Sequence, residues 1–214
     1  MSIHTVEQLN EVLSRELAWR KKELTALHKL ATRATPYTSE QEVLVRSGIT
    51  MLYAHWEGFV KQAASTYLEF VAMRRLAYQN LTANFIALAM KKKLELAQVT
   101  DKVTVLNGVV EFFLTGLSER AQVPYKDVIK TQSNLSSEVM KEIISTLNLD
   151  YTPYSDKREI LDEQLLRSRN HIAHGQWLLV DLNGYSELKN HIFLLMDTFK
   201  NQIENAACTE AYRR

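Results

Sequence analysis

Between Val45 and Val71 an apolar residue recurs every third or fourth position (Val45, Ile49, Leu52, Trp56, Phe59, Ala63, Tyr67, Val71), and no proline interrupts the run. Residues at that spacing share one face of an α-helix. A stripe of about seven turns is buried most readily by other helices laid along it. Ser39 and Glu42 stand as a capping box at its start, and the helix is expected to reach about Leu76 as the backbone of the core. With 6 Gly and 3 Pro in 214 residues, the chain lacks the turn residues that an all-β fold consumes.

The flanking segments carry the same period. Thr5 and Gln8 form a capping box for a first helix to about Ala31, with Leu9, Val12, Leu13, Leu17, Leu24 and Leu27 facing inward, and Pro36 ends the linker that follows. Two helices are expected between Leu81 and Glu119, the second capped by Asp101, and a short one from about Ser136 to Leu147. Asp156 and Glu159 suggest a capping box for a helix carrying REILDEQLLRSRNHIAH, with Gly175 as its stop. Asp181 to Gly184 reads as a tight turn and Ser186 as the cap of a last helix with Leu188, Ile192, Leu195, Phe199 and Ile203 inward. The expected fold is an all-α bundle of long antiparallel helices, one domain over 1–214, with 80–150 as an inserted helical subdomain.

Composition narrows the function classes. The 26 basic and 25 acidic residues leave a net charge of +1, so polyanion binding has to rest on a local patch. Candidates are Lys91–Lys93, Arg74–Arg75, Lys21–Lys22, and Arg167 with Arg169. A single cysteine, Cys208, has no internal partner for a disulfide, and neither a signal-type N-terminus nor an apolar run of ~18 residues stands out. The expectation is a cytoplasmic protein without a membrane partner.

The densest chemistry lies in RSRNHIAHG, Arg167 to Gly175. Five steps along an α-helix leave Arg169 and His174 about 140° apart, whereas Asn170 and His171 fall on the His174 side. Histidine suits proton transfer near neutral pH, and the planar fork of arginine suits a phosphate. Metal-free RNA cleavage requires a base for the 2′-OH, an acid for the leaving 5′-oxygen and cations for the charge on phosphorus. For Arg169 and His174 to share one phosphate, either the helix loosens near Gly175 or a second copy completes the site, as an isologous dimer does by bringing two copies of the segment together. The same residues also suit an ordinary C-terminal helix cap, where cations face the macrodipole ahead of a glycine.

LLRSRNHIAHG resembles the Arg-x(4–6)-His signature of HEPN domains, and LYAHWEGFVKQAASTYLEFV resembles the long helix of a stand-alone prokaryotic branch of that superfamily. The resemblance implies a helical bundle, a homodimer with two motifs in one cleft, and a metal-independent endoribonuclease, in many members a toxin of toxin–antitoxin or antiphage defence systems. It makes Arg169 and His174 the catalytic pair with Asn170 as the polar supporting residue. An antitoxin or defence-system protein is the implied partner besides RNA. Gln176 stands where some HEPN toxins carry a modified tyrosine, so that modification does not carry over. The alternative is a non-catalytic HEPN module that binds RNA, nucleotide or a partner protein.

Four further residues complete the candidate set. Glu57 falls among Tyr53, Val60 and Ala64, where a carboxylate needs a cationic or hydrogen-bonded partner; Arg169 is the candidate, and Glu57 is a supporting residue. His171 is likewise supporting, while Arg167 and Trp177 are candidate RNA contacts, the indole by stacking a base. His55 reads as a satisfied core or interface histidine. His171 and His174 form His-x-x-His, but no third ligand at metal spacing accompanies them, so neither metal nor cofactor is expected.

Overall fold

The computed structural model describes residues 2–100, 102–131 and 133–214, and its elements are helical throughout, with no strand among the described residues. The seven α-helices are α1 (Val6–Arg33), α2 (Ser39–Met73), α3 (Ala83–Gln98), α4 (Val103–Leu114), α5 (Ser137–Thr146), α6 (Ser168–Ala173) and α7 (Leu182–Cys208). The segment Glu159–Arg167, wound as a π-helix, runs without a break into α6.

Three long helices make the frame. All eight residues of the α2 stripe are buried, from Val45 through Trp56 to Val71. Helix α1 returns antiparallel along α2: His55 meets Glu23 near the middle, and the Gln41 amide donates to the Ala31 carbonyl near the shared end. Helix α7 is antiparallel to α1, with Lys21 paired to Asp197 and His28 bonded to Ser186. Leu9, Leu13, Leu17 and Leu24 of α1 and Leu188, Ile192, Leu195, Phe199 and Ile203 of α7 close over α2. Val12 is only partly buried beside this core.

The AHWEGF segment is explained by this packing. His55 is 8% exposed and its Nε2 lies 2.9 Å from Glu23 Oε2, with the Trp19 ring edge-on to it. Trp56 and Phe59 are fully buried, and Gly58 faces the buried Arg20 guanidinium. Arg20 lies over the Trp19 ring and pairs with Glu16, so its charge is compensated inside the α1–α2 interface. His55 is the satisfied interface histidine expected from sequence.

Helix ends show where side chains competed for backbone donors. The Thr5–Gln8 capping box forms as expected. At α2 the cap is Thr38, one residue before Ser39, and the helix ends at Met73, three residues short of Leu76. Asp156 pairs with Lys157 and does not cap the π-wound segment. Helix α7 starts at Leu182 because Asp181 accepts from the Gly184 N–H, so the expected turn is the first turn of the helix and Ser186 lies inside it. The Asp101 cap lies outside the described residues.

The stretch 80–150 carries α3, α4 and α5, with an irregular loop between Ser118 and Ser137, and it splits in two. Leu81, Phe85, Met140, Ile143, Ile144 and Leu147 join the core, whereas the distal part of α3 and nearly all of α4 form an exposed arm in which Phe112 is buried.

Candidate active site

The π-wound segment and α6 share one register of packing. Leu161 and Leu165 are buried, and Arg169, four residues on, continues their line toward α2. Its guanidinium lies 3.9 Å from the centroid of the Tyr53 ring, and Nη2 donates to the Ser133 carbonyl in the loop before α5. Tyr53 in turn accepts a 2.7 Å hydrogen bond from the Leu135 N–H. Burial pushes the Tyr53 phenol up, against the pull of the Leu135 and Arg169 bonds, and the Glu57 charge adds to the rise. Arg169 is thus a cation stacked on a neutral ring and clamped by a backbone carbonyl.

The expected Arg169–Glu57 ion pair does not form: among the described residues no salt bridge joins them, and Glu57 remains a half-buried carboxylate on the same side of α2 as Tyr53. A loop carbonyl 36 residues earlier in the chain holds the arginine instead.

The opposite face of α6 opens to solvent. Arg167, Asn170, His171 and His174 line a groove of about 310 Å³ with Asp162, Leu166 and Gln176. His171 Nδ1 is 2.9 Å from the Arg167 carbonyl, which fixes Nδ1 as the protonated nitrogen and leaves Nε2 of the neutral ring as an acceptor. His174 is exposed, with its backbone N–H closing the last helical bond to Asn170. Gly175 then takes φ +71°, the Gly175 N–H donates to the Ile172 carbonyl, and the Gln176 N–H reaches the His171 carbonyl. These are the two bonds of a Schellman cap, so Gly175 stops the helix as expected and sets His174 at its tip.

Four of the sequence candidates therefore share one groove, Arg167, Asn170, His171 and His174, while Arg169 faces the other way. Arg167 also pairs with Glu163 at 2.9 Å on an exposed surface. Trp177 is 70% exposed just beyond the cap and is not part of the groove lining. Tyr53 and Ser133, the partners of Arg169, were not singled out in the sequence; the α2 pattern marks Tyr53 only as a neighbour of the stripe. Asp162 is also new: its carboxylate accepts from the Ser137 N–H and hydroxyl at 2.7 and 2.6 Å and so ties α5 to the groove wall.

Among the described residues, no three His, Cys, Asp or Glu side chains cluster as a metal site would, and no helix is long and apolar enough to cross a membrane. A family model described as RiboL-PSP-HEPN matches residues 15–205. No curated protein and no solved structure matches the chain.

Proposed function

The chain belongs to the RiboL-PSP-HEPN family, and on that premise we propose that it is a metal-independent endoribonuclease acting at a site shared by two copies of the chain. The observation that carries this reading is the groove in which Asn170, His171 and His174 stand together at the capped tip of α6. In the proposed reaction a histidine takes the 2′-OH proton, the 2′-oxygen attacks phosphorus, and the 5′-oxygen leaves with a proton from a second histidine. The products are a 2′,3′-cyclic phosphate and a 5′-OH end, and DNA, lacking the 2′-OH, is not a substrate.

His174 and the partner subunit's His174 serve as base and acid. His171, with Nε2 free, supports them, and Asn170 orients the substrate. Arg169 is the cation assigned to the phosphate, and Arg167 and Trp177 are assigned to the RNA strand on either side. A twofold axis would bring two copies of the groove together, and Arg169 would leave Tyr53 and Ser133 to reach the phosphate there. The biological setting proposed is a toxin or effector of a toxin–antitoxin or antiphage system, restrained in the cytoplasm by a partner protein.

One observation favours a second reading, a HEPN module that binds RNA, nucleotide or a partner without cleaving: the Arg169 side chain is already committed to Tyr53 and Ser133. Incubating RNA with purified chain in EDTA separates the two. Cleavage by wild type that falls by ~10² or more in His174→Ala supports the nuclease; RNA bound and recovered intact supports the module.

A further inference from the structure

Eight of the fifteen large apolar side chains exposed among the described residues fall between Leu94 and Leu114, on the arm made by α3 and α4. Their combined exposed surface is of the order of the ~800 Å² that each partner gives up in a standard interface. Four of the eight, Val103, Leu106, Val110 and Phe113, lie on one face of α4, and an exposed apolar face of that kind marks an interaction surface.

The two faces of α4 are built differently. Val105, Val109 and Phe112 turn inward, where the Phe112 ring meets Tyr78 and lies beneath Lys93 of α3. Val103, Leu106, Val110 and Phe113 turn outward at 65%, 40%, 54% and 52% exposure. Their spacing is three, four, three, the repeat of a helix-pairing seam, which calls for another helix and not for a flat surface. No charged residue sits on the seam, and Glu111 is the one charge in α4.

The order along the seam specifies which helix. Three, four, three reads the same from either end, so an antiparallel copy sets Val103 against Phe113 and Leu106 against Val110. Each layer then places a larger side chain opposite a smaller one, as interdigitating cores require. A parallel copy would instead stack Phe113 on Phe113 and leave a gap between the two Val103 side chains. Antiparallel pairing also sets opposite ends of the two helix dipoles together.

We infer that α4 is a self-association element that pairs antiparallel with α4 of a second copy of this chain. None of its residues lines the groove of α6, so the inference stands apart from the nuclease reading.

Cysteine cross-linking in the full chain tests it, in a Cys208→Ser background. Leu106→Cys chains mixed with Val110→Cys chains should form a disulfide-linked heterodimer in high yield, while Leu106→Cys alone should cross-link poorly. In sedimentation, Leu106→Glu should weaken self-association by roughly tenfold or more, and mixing it with Val110→Lys should restore it, because the pairing sets the new carboxylate beside the new ammonium. Circular dichroism of each variant should match wild type, since the substituted side chains are exposed. A folded chain with no 106–110 cross-link, or self-association unchanged by Leu106→Glu, overturns the inference. So does preferential 106–106 linkage, which means parallel pairing. RNA cleavage is a separate readout and decides nothing about the arm.

Discussion

Arg169 stacks on Tyr53, with the guanidinium carbon 3.9 Å from the ring centroid, while its Nη2 donates to the carbonyl of Ser133. The pair joins α2, the motif helix and the loop before α5 at one point, so the motif arginine is a structural fastener as well as a candidate for phosphate binding. His174, on the other face, is exposed, and its side chain makes no hydrogen bond or ion pair among the described residues.

The two residues should therefore separate in stability measurements. Arg169→Ala is expected to lower the unfolding free energy by about 1–2 kcal/mol, from the lost cation–π contact and the unpaired Ser133 carbonyl. Tyr53→Phe should cost about 1–3 kcal/mol because it strands the buried Leu135 N–H. His174→Ala should stay within ~0.5 kcal/mol of wild type. Urea unfolding midpoints check this ordering, and an Arg169→Ala protein as stable as His174→Ala would contradict it.

Gly175 gives a second test. Its φ of +71° suits glycine, and the two cap bonds depend on it. Gly175→Ala should cost about 1 kcal/mol and Gly175→Asn less, because Asn tolerates this backbone region better than Ala. If the tip of α6 positions His174 for catalysis, RNA cleavage should fall in the same order. The thermal midpoint and the cleavage rate of the two variants supply the comparison.

Stability should also respond to mild acid. Burial holds His55 below its ordinary pKa of 6.5 against the opposing charge of Glu23, with Arg20 adding to the depression. Burial, helped by the Lys189 charge, does the same to His28. Both rings bind protons more weakly folded than unfolded, so their contribution is present above about pH 6.5 and is lost as pH falls through the folded-state values. Denaturant midpoints of wild type should drop between pH 7 and pH 5, and a His28→Gln, His55→Gln double variant should flatten the profile. A flat wild-type profile would refute the assignment.

The frame was legible in the sequence because a periodic stripe such as Val45 to Val71 admits one partner geometry, and every residue of it is buried. The Thr5 cap and the Gly175 stop were legible because each is a local bond pattern between residues no more than five apart in the chain. Competition between neighbours was not: Thr38 and Ser39 both cap well, and Asp181 captured the Gly184 N–H that a tight turn would also have used. The partner of Arg169 was out of reach, because Ser133 lies in an irregular loop that only the assembled bundle brings beneath α6. The π winding of Glu159–Arg167 leaves no mark in composition. In the site, the shared side of Asn170, His171 and His174 followed from helical spacing, and that grouping is the one the groove displays.

A composite site in which the two His174 side chains are base and acid makes a prediction for mixed subunits. An Arg169→Ala and His174→Ala heterodimer holds one His174, so the two proteins, each at least ~10² less active than wild type, should stay inactive when mixed and allowed to exchange, with heterodimers shown to form. Activity recovered in proportion to the heterodimer fraction would mean that one copy of each residue is enough and would contradict the assignment of both His174 side chains.

The most direct measurement concerns the nucleophile. After a cleavage position is mapped on an oligoribonucleotide in EDTA, the same oligonucleotide is made with one 2′-deoxy residue on the 5′ side of that phosphate. The account predicts that wild-type protein leaves a 2′,3′-cyclic phosphate and a 5′-OH at the mapped position, that the single deoxy substitution abolishes cleavage there, and that His174→Ala does not cleave the all-ribose strand at a comparable rate. Cleavage of the deoxy-substituted position at the original rate, or a reaction that starts only when a divalent ion is added, would contradict it.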